Sequence, residues 1–455
     1  MSEVVRFAPS PTGYLHLGNA RTALYNAFLA MDGGTLVLRY DDTDTERSRP
    51  EYAEAIAADL DWLGIRPDRV AHQSARLAQY DAAADALREA GRLYPCYETP
   101  EELERKRMRQ RARGLPPIYD RAALALTAQE RQRLEAEGRR PHWRFRLPDG
   151  SRSWDDLCRG PQTVNLQSLS DPVLVRADGT YLYTLTSVVD DAEFAITSVV
   201  RGEDHVTNSG VQIAIFEALG AVPPRLGHHN LLIRADGEPL SKRHNPLSLS
   251  RLREEGYEAM AVASLASLVG TSLPVAPVAS LADLAAMKPL GAVSRGPATF
   301  DPADLDRLNA ALLHATPFEA VEAWLGATYG VADRRFWETV RPNLGRRADV
   351  GHWVAIWREA PDPAGIGVTL ADAPVLEAAR AALPPEPWDE ATFRTWTGAV
   401  KAATGAKGKT LFMPLRRALT GEASGPEMAA FLLLLDRAEV VRRLDGAIAA
   451  ARAAD

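Results

Sequence analysis

The chain has 455 residues, 46% hydrophobic and 25% charged, with a formal net charge of −7. That length exceeds one ordinary core and predicts two to four domains of a soluble globular protein. No apolar run reaches membrane-spanning length and no charged-then-apolar leader opens residues 1–30, so the expectation is a cytoplasmic protein with no membrane partner; Cys96 and Cys158 are too few for a disulfide framework, and their spacing offers no zinc set.

The first 75 residues alternate strand and helix. "VVRFA" reads as strand, Leu17–Met31 as helix, "TLVLRY" (Thr35–Tyr40) as strand and Pro50–Gly64 as helix, with Tyr52, Ile56, Leu60 and Leu63 on one face. Pro50 near the start and Gly64 at the end agree with capping preferences. This order implies a parallel sheet whose ligands sit at the carboxyl ends of its strands. Between the first strand and helix lies "RFAPSPTGYLHLGN". Pro9, Pro11 and Gly13 fix the path of the turn, Gly18 lets a ligand approach the backbone, and His16 can donate to a phosphate beside the helix start, where unpaired N–H groups favour anions.

"DDTD" (Asp41–Asp44) invites a metal, but adjacent acids at a strand end point in alternating directions and would not all meet one cation. The pattern turns to charged helix and polar loop from about Ser74 to Arg176. Here "ERKRMRQRARG" (Glu104–Gly114) forms a basic strip that either faces a polyanion or is a solvated helix face. Strand–helix alternation resumes over Tyr181–His205, so an insertion splitting one α/β domain is expected. The adjacent His228 and His229 face two ways on a strand and have no third ligand, which makes them structural. After Gly237–Pro246 everything reads as helical, with Gly270–Ala282 a linker or long turn. "PLSKRHN" places Lys242 and Arg243 beside Ser241, suited to the charge of a phosphate chain in its transition state. "ATGAKGKT" (Ala403–Thr410) nearly spells a P-loop, but its first glycine is Ala403 and no buried strand precedes it.

The first turn and the distant Ser-Lys loop together resemble the class I aminoacyl-tRNA synthetases. The long segments "RFAPSPTGYLHLGNARTALYN", "RYDDTDTERS", "VVDDAEFAITSVVRGEDHVTN", "LSKRH" and "GAKGKTLFMPLRRALTG" are similar, in this order, to the glutamyl-tRNA synthetases nearly throughout the chain. The resemblance implies an α/β fold: a split Rossmann-type catalytic domain (1–75 and 181–236) with an inserted tRNA acceptor-binding domain (76–180). A stem-contact region with the second ATP motif (237–310) and an all-helical anticodon-binding region (311–455) would follow. It implies ligation of L-glutamate to tRNA-Glu, with tRNA-Gln as an additional or alternative acceptor, using ATP and the Mg2+ that comes with it. It also implies a monomer, tRNA bound before activation, and the 2′-hydroxyl as acceptor. A non-catalytic tRNA-binding paralogue is the alternative.

By the same resemblance His16 and Lys242 are catalytic, and Pro9, Gly13, His16, Gly18, Asn19, Leu240, Ser241, Lys242 and Arg243 bind ATP. Arg6, Tyr183 and Arg201 grip the glutamate side chain, Asp41 takes its ammonium where the family has glutamate, and Ala8, Ser10 and Asp204 complete the pocket. Arg47, Lys407, Lys409 and Arg416 contact tRNA. Two departures stand out: Pro239 replaces the lysine that opens the second ATP motif, and Cys96 is followed by Glu98 with no later ligand pair around Tyr119–Ala122, so no zinc is expected.

Overall fold

The computed structural model describes residues 2–234, 237, 248–363 and 365–454. These divide into two compact units, Met1–Glu254 with Ala259–Asp304, and Glu255–Glu258 with Leu305–Asp455.

The first unit opens with β1 (Val4–Phe7), α1 (Leu17–Ala30), β2 (Thr35–Tyr40), α2 (Pro50–Trp62) and β3 (Arg69–His72). After these come α3 (Leu77–Glu89), β4 (Leu93–Cys96), α4 (Pro100–Ala112), α5 (Ala128–Ala136), β5 (His142–Phe145), β6 (Ser151–Asp156), β7 (Gly160–Asn165) and β8 (Val173–Val175). The α/β pattern then returns as α6 (Tyr183–Glu193), β9 (Ser198–Gly202), α7 (Val206–Ala218) and β10 (Arg225–His229). Strands β10, β9, β1, β2 and β3 form one parallel sheet in that order. Its centre is β1, so the first and second halves meet side by side, and the turn after β1 lies where the strand order reverses.

Between β3 and α6 the chain leaves the parallel sheet, and this stretch is not only helix and loop. Strands β4, β5 and β8 form a three-stranded sheet, and β6 and β7 an antiparallel hairpin. These strands span only three to six residues, and β6 and β7 are largely polar, so alternation left little signal. Helix α4 follows a Thr99–Glu102 capping box and buries no residue. Lys106 there pairs with Glu98 and Asp120, and Arg107 with Glu104.

The all-helical expectation after 237 fails at one place. Strand β11 (Leu232–Arg234) pairs in parallel with β12 (Ala298–Phe300). Between them lie α8 (Leu249–Glu254), α9 (Ala259–Leu268) and α10 (Leu281–Ala286). Fully buried Arg21 ties α1 to this region, donating to the carbonyl oxygen of Ala266 at 2.8 Å and the Asn230 side chain at 2.5 Å. It thereby satisfies a carbonyl at the end of α9 that has no partner within the helix.

The second unit holds α11 (Pro302–Ala315), α12 (Glu322–Tyr329), α13 (Arg334–Val340), α14 (Val350–Arg358), α15 (Ala373–Ala382), α16 (Thr392–Thr404), α17 (Lys409–Thr420), α18 (Met428–Leu432) and α19 (Arg437–Ala453). One core gathers around Phe336 and Trp337, another around Trp396, Leu415 and Leu444. Helix α16, not a strand, precedes the Gly-rich loop at 405–408, which removes the structural context a P-loop needs. No helix among the described residues is long and apolar enough to cross a membrane.

Candidate active site

A cavity of about 650 Å³ opens at the carboxyl ends of β1 and β9, beside the start of α1. Arg6, Ala8, Pro9, Ser10, His16, Gly18, Asn19, Asp41, Tyr183, Arg201 and Asp204 all line it. Gly13 does not: it sits in the preceding turn, with a backbone any residue could adopt. Leu240, Ser241, Lys242, Arg243 and Pro239 lie outside the described residues. The chain that follows them is anchored at the same place, because the backbone of Ser248 bridges to His16 and the Leu249 N–H donates to the Leu15 carbonyl oxygen at 2.9 Å.

His16 caps α1. Its Nδ1 accepts the Gly18 N–H at 3.1 Å, and its own N–H donates to Asn19 Oδ1 at 3.0 Å. With Nδ1 occupied as an acceptor, the proton of the neutral ring belongs on Nε2, and burial keeps the ring neutral by lowering its pKa. Gly18, which lines the cavity, also has a use within the protein. A Cβ there would lie 2.9 Å from His16 Cε1, so the glycine makes room for the imidazole.

On the opposite side Arg6 and Arg201 are both buried, and each guanidinium is within electrostatic reach of the other. Arg6 makes long contacts to Asp191, 3.4 and 3.5 Å. Arg201 is held more tightly, donating to the Tyr183 hydroxyl at 2.8 Å and, through Nη2, to Ser209 and Gln212 at 2.5 and 2.6 Å. Its buried Nε has no partner among the described residues. Desolvation of the half-buried Tyr183 phenol alone would raise its pKa, but the Arg201 and Arg6 guanidiniums prevail and lower it. Such a corner holds unspent hydrogen-bond capacity and positive charge, and it suits a carboxylate.

Asp41 faces the cavity already engaged. Arg39 Nε and Nη2 donate to its two oxygens at 2.7 and 3.2 Å, so its charge is shared with a protein cation before any ammonium arrives. Burial raises its pKa, and Arg39 opposes that rise. The other acids of "DDTD" separate as expected. Asp42 accepts from Ser74 and pairs with His72, and Asp44 pairs with Arg47. Among the described residues no three metal-binding groups converge. Asp204 is half-exposed beside His205, and burial together with Arg201 lowers the His205 pKa to about 4.

Lys407 and Lys409 are exposed in the second unit, Lys409 at the start of α17. Arg416, half-buried on the same helix, has an Nη1 with no partner among the described residues. Sequence reasoning missed Arg39, Thr22 and His229. Thr22 Oγ1 lies 2.9 Å from His229 Nε2, and both line the cavity. A charged residue in the middle of a parallel strand, as Arg39 is, was the one available signal.

Residues 3–306 match the family of class I tRNA synthetases (E and Q), catalytic domain, and 367–448 match an anticodon binding domain. A glutamate–tRNA ligase 2 of Methylobacterium sp. (strain 4-46) is 60% identical over 98% of this chain and 99% of its own. A glutamate–tRNA ligase 1 of Brucella ovis is 55% identical over 96% of this chain and 98% of its own. The crystal structure of a glutamate tRNA ligase from Elizabethkingia meningosepticum, in complex with its amino acid, superposes with a TM-score of 0.84 at 26% identity, covering 99% of each chain. With a parallel α/β catalytic unit and a helical anticodon-binding region, the chain belongs to the glutamate–tRNA ligase family of class I tRNA synthetases.

Proposed function

We propose that the chain joins L-glutamate to tRNA-Glu in two steps, with ATP as the energy source. In the first, an oxygen of the α-carboxylate attacks the α-phosphorus of ATP and pyrophosphate leaves, giving glutamyl-adenylate. In the second, a hydroxyl of the terminal adenosine of tRNA attacks the anhydride carbonyl and AMP leaves. The observation that carries this reading is the pairing, within one cavity, of the Arg6–Tyr183–Arg201 corner with the His16-capped start of α1. Two guanidiniums hold the side-chain carboxylate, which leaves the α-carboxylate to face the nucleotide. Asp41, backed by Arg39, receives the ammonium.

His16 Nε2–H and the first N–H groups of α1 stabilise charge on the phosphates without delivering a full proton, because the ring is already neutral. Lys242, of the second ATP motif, supplies a further cation to the phosphates. Magnesium arrives with ATP, held mainly by phosphate oxygens. No structural zinc is proposed. Tyr119 Oη donates to Glu98 and approaches Cys96 Sγ at 3.7 Å, and burial raises the Cys96 pKa to about 11, so the thiolate a metal needs is disfavoured. We propose a monomer, with Arg47, Lys407, Lys409 and Arg416 on tRNA.

Incubating the chain with ATP, radiolabelled glutamate and purified tRNA tests the reading. Acid-precipitable label on tRNA-Glu supports it. A folded chain that neither charges tRNA nor exchanges pyrophosphate in its presence is a binding paralogue instead. Running tRNA-Gln in parallel fixes the acceptor.

A further inference from the structure

Behind Arg201 runs a chain of buried groups that the two-step reaction does not use. We propose that Ser209, His228 and Asp156 are positioning residues that aim the Arg201 guanidinium, so that glutamate binding depends on the seating of the β6–β7 hairpin. The proposal rests on the reading of Arg201 as a grip for the substrate's side-chain carboxylate.

The chain has one consistent direction. Asp156 ends β6 and accepts N–H bonds from Cys158 at 3.0 Å, Arg159 at 3.1 Å, His228 at 3.0 Å and the Trp154 indole at 3.0 Å. An acceptor so surrounded is ionised, and it accepts a hydrogen bond from the His228 Nδ1–H at 2.5 Å. The Nε2 of His228 is then a lone pair, 2.8 Å from Ser209 Oγ. Ser209 donates there in preference to the more distant His205 carbonyl oxygen at 3.2 Å, and turns its own lone pairs toward Arg201 Nη2, 2.5 Å away. Each group thus fixes the hydrogen of the next.

Ser, His and Asp at these distances also describe a nucleophilic triad, but Ser209 and His228 have no exposed surface and neither lines the cavity. No substrate can reach them, which leaves orientation as their use. The hairpin that supplies Asp156 is pressed onto the elements supplying the others. A Cβ at Gly210 of α7 would lie 2.6 Å from Val164 Cβ of β7, and one at Gly227 of β10 would lie 3.1 Å from Leu157 Cβ, just beyond β6. The Leu157 N–H also donates to the Leu226 carbonyl oxygen at 2.9 Å. A shift of the hairpin therefore moves Asp156 against His228, which β10 holds in register with β9.

Ser209→Ala removes one link without adding bulk. Its KM for glutamate should rise about ten-fold, the worth of one hydrogen bond to a charged group, with KM for ATP and kcat at saturating glutamate close to wild type. Arg201→Ala, assayed alongside, should raise KM for glutamate at least as much. A wild-type glutamate KM in Ser209→Ala, with or without a lower Tm, overturns the proposal when Arg201→Ala is impaired. A wild-type KM in Arg201→Ala overturns the reading of Arg201 itself. Should Ser209→Ala not fold, His228→Gln, whose amide oxygen can replace Nε2 as acceptor, is compared with His228→Leu. Only the leucine variant should raise KM for glutamate, and equal values overturn the proposal.

Discussion

Arg39 Nε stands 2.7 Å from Asp41 Oδ1 while Nη1 of the same guanidinium stands 2.7 Å from Asp191 Oδ1, and none of Arg39 is exposed. One buried cation thus serves an acid at the cavity wall and an acid that also meets Arg6. Burial alone would lower the Arg39 pKa, but the surrounding carboxylates raise it well above the ordinary arginine value. The fork matters as much as the charge, because its planar N–H groups pair with both oxygens of Asp41 and still reach Asp191, whereas an ammonium is a point charge with no such fixed plane.

Arg39→Gln should leave Asp41 buried without the cation that engages it and Asp191 with only its long contacts to Arg6. The expected loss of stability is about 3–5 kcal/mol, the range for removing one partner of a buried pair, with glutamate binding weakened at the same time. Arg39→Lys should recover only part of either property. Thermal melts and glutamate titrations of the two variants check this, and an unchanged Tm for Arg39→Gln would contradict it.

His16 has two separable uses, as helix cap and as phosphate donor. His16→Asn keeps a side-chain oxygen able to accept the Gly18 N–H, so stability should stay within about 1 kcal/mol of wild type. The Nε2–H is lost, and adenylate formation should fall about 10²–10³-fold, as for a removed oxyanion donor. Gly18→Ala approaches the same defect from the other side, since its Cβ would meet His16 Cε1 at 2.9 Å and displace the ring. Pyrophosphate exchange measured with tRNA present reads both variants. Equal rates in wild type and His16→Asn would remove His16 from the chemistry.

The catalytic sheet was legible because its signals are local and long. Val4–Phe7 and Thr35–Tyr40 are β-branched or apolar runs, and the helix at Pro50 has a 3.6-residue stripe with a proline start. The insertion's strands were not, since "SRSWDD" and "GPQTVN" pair with each other through backbone groups while much of their side-chain surface faces water. The cavity residues at strand ends followed from motif spacing and resemblance. Arg39 and the Ser209–His228–Asp156 chain could not, because their meaning depends on partners as far as 72 and 152 positions away. The contact between a Gly18 side chain and the neighbouring imidazole was likewise not legible, because it depends on how His16 caps the helix.

Asp59, on α2, is buried with both carboxylate oxygens lacking a hydrogen bond, and Arg253 of α8 is its nearest cation at 3.6 Å. Burial raises its pKa to about 6, with Arg253 opposing the rise. A raised acid holds its proton in the folded state after the unfolded state has released it, so this group's contribution is greatest below about pH 4. It is lost as pH rises to about 6 and then stays level, a change of roughly 3 kcal/mol for two pKa units. Asp59→Asn should lack this slope. Denaturant titrations of both proteins between pH 4 and pH 7 isolate it by difference, and parallel curves would show that Asp59 titrates normally.

The loop before α17 presents Lys407 and Lys409 to solvent, and Gly405 and Gly408, both at positive φ, let it turn tightly. With α16 ahead of it, the loop has no strand to frame a nucleotide phosphate site, so its lysines are expected on RNA phosphates. Lys407→Glu with Lys409→Glu should raise KM for tRNA while leaving KM for glutamate and ATP unchanged. Each lost phosphate contact should also lower the slope of log affinity against log salt by about one. Binding of labelled tRNA across a salt series measures that slope. A slope equal to wild type, with tRNA affinity preserved, would place these lysines off the RNA, whereas a raised KM for ATP would revive the P-loop reading that the preceding helix argues against.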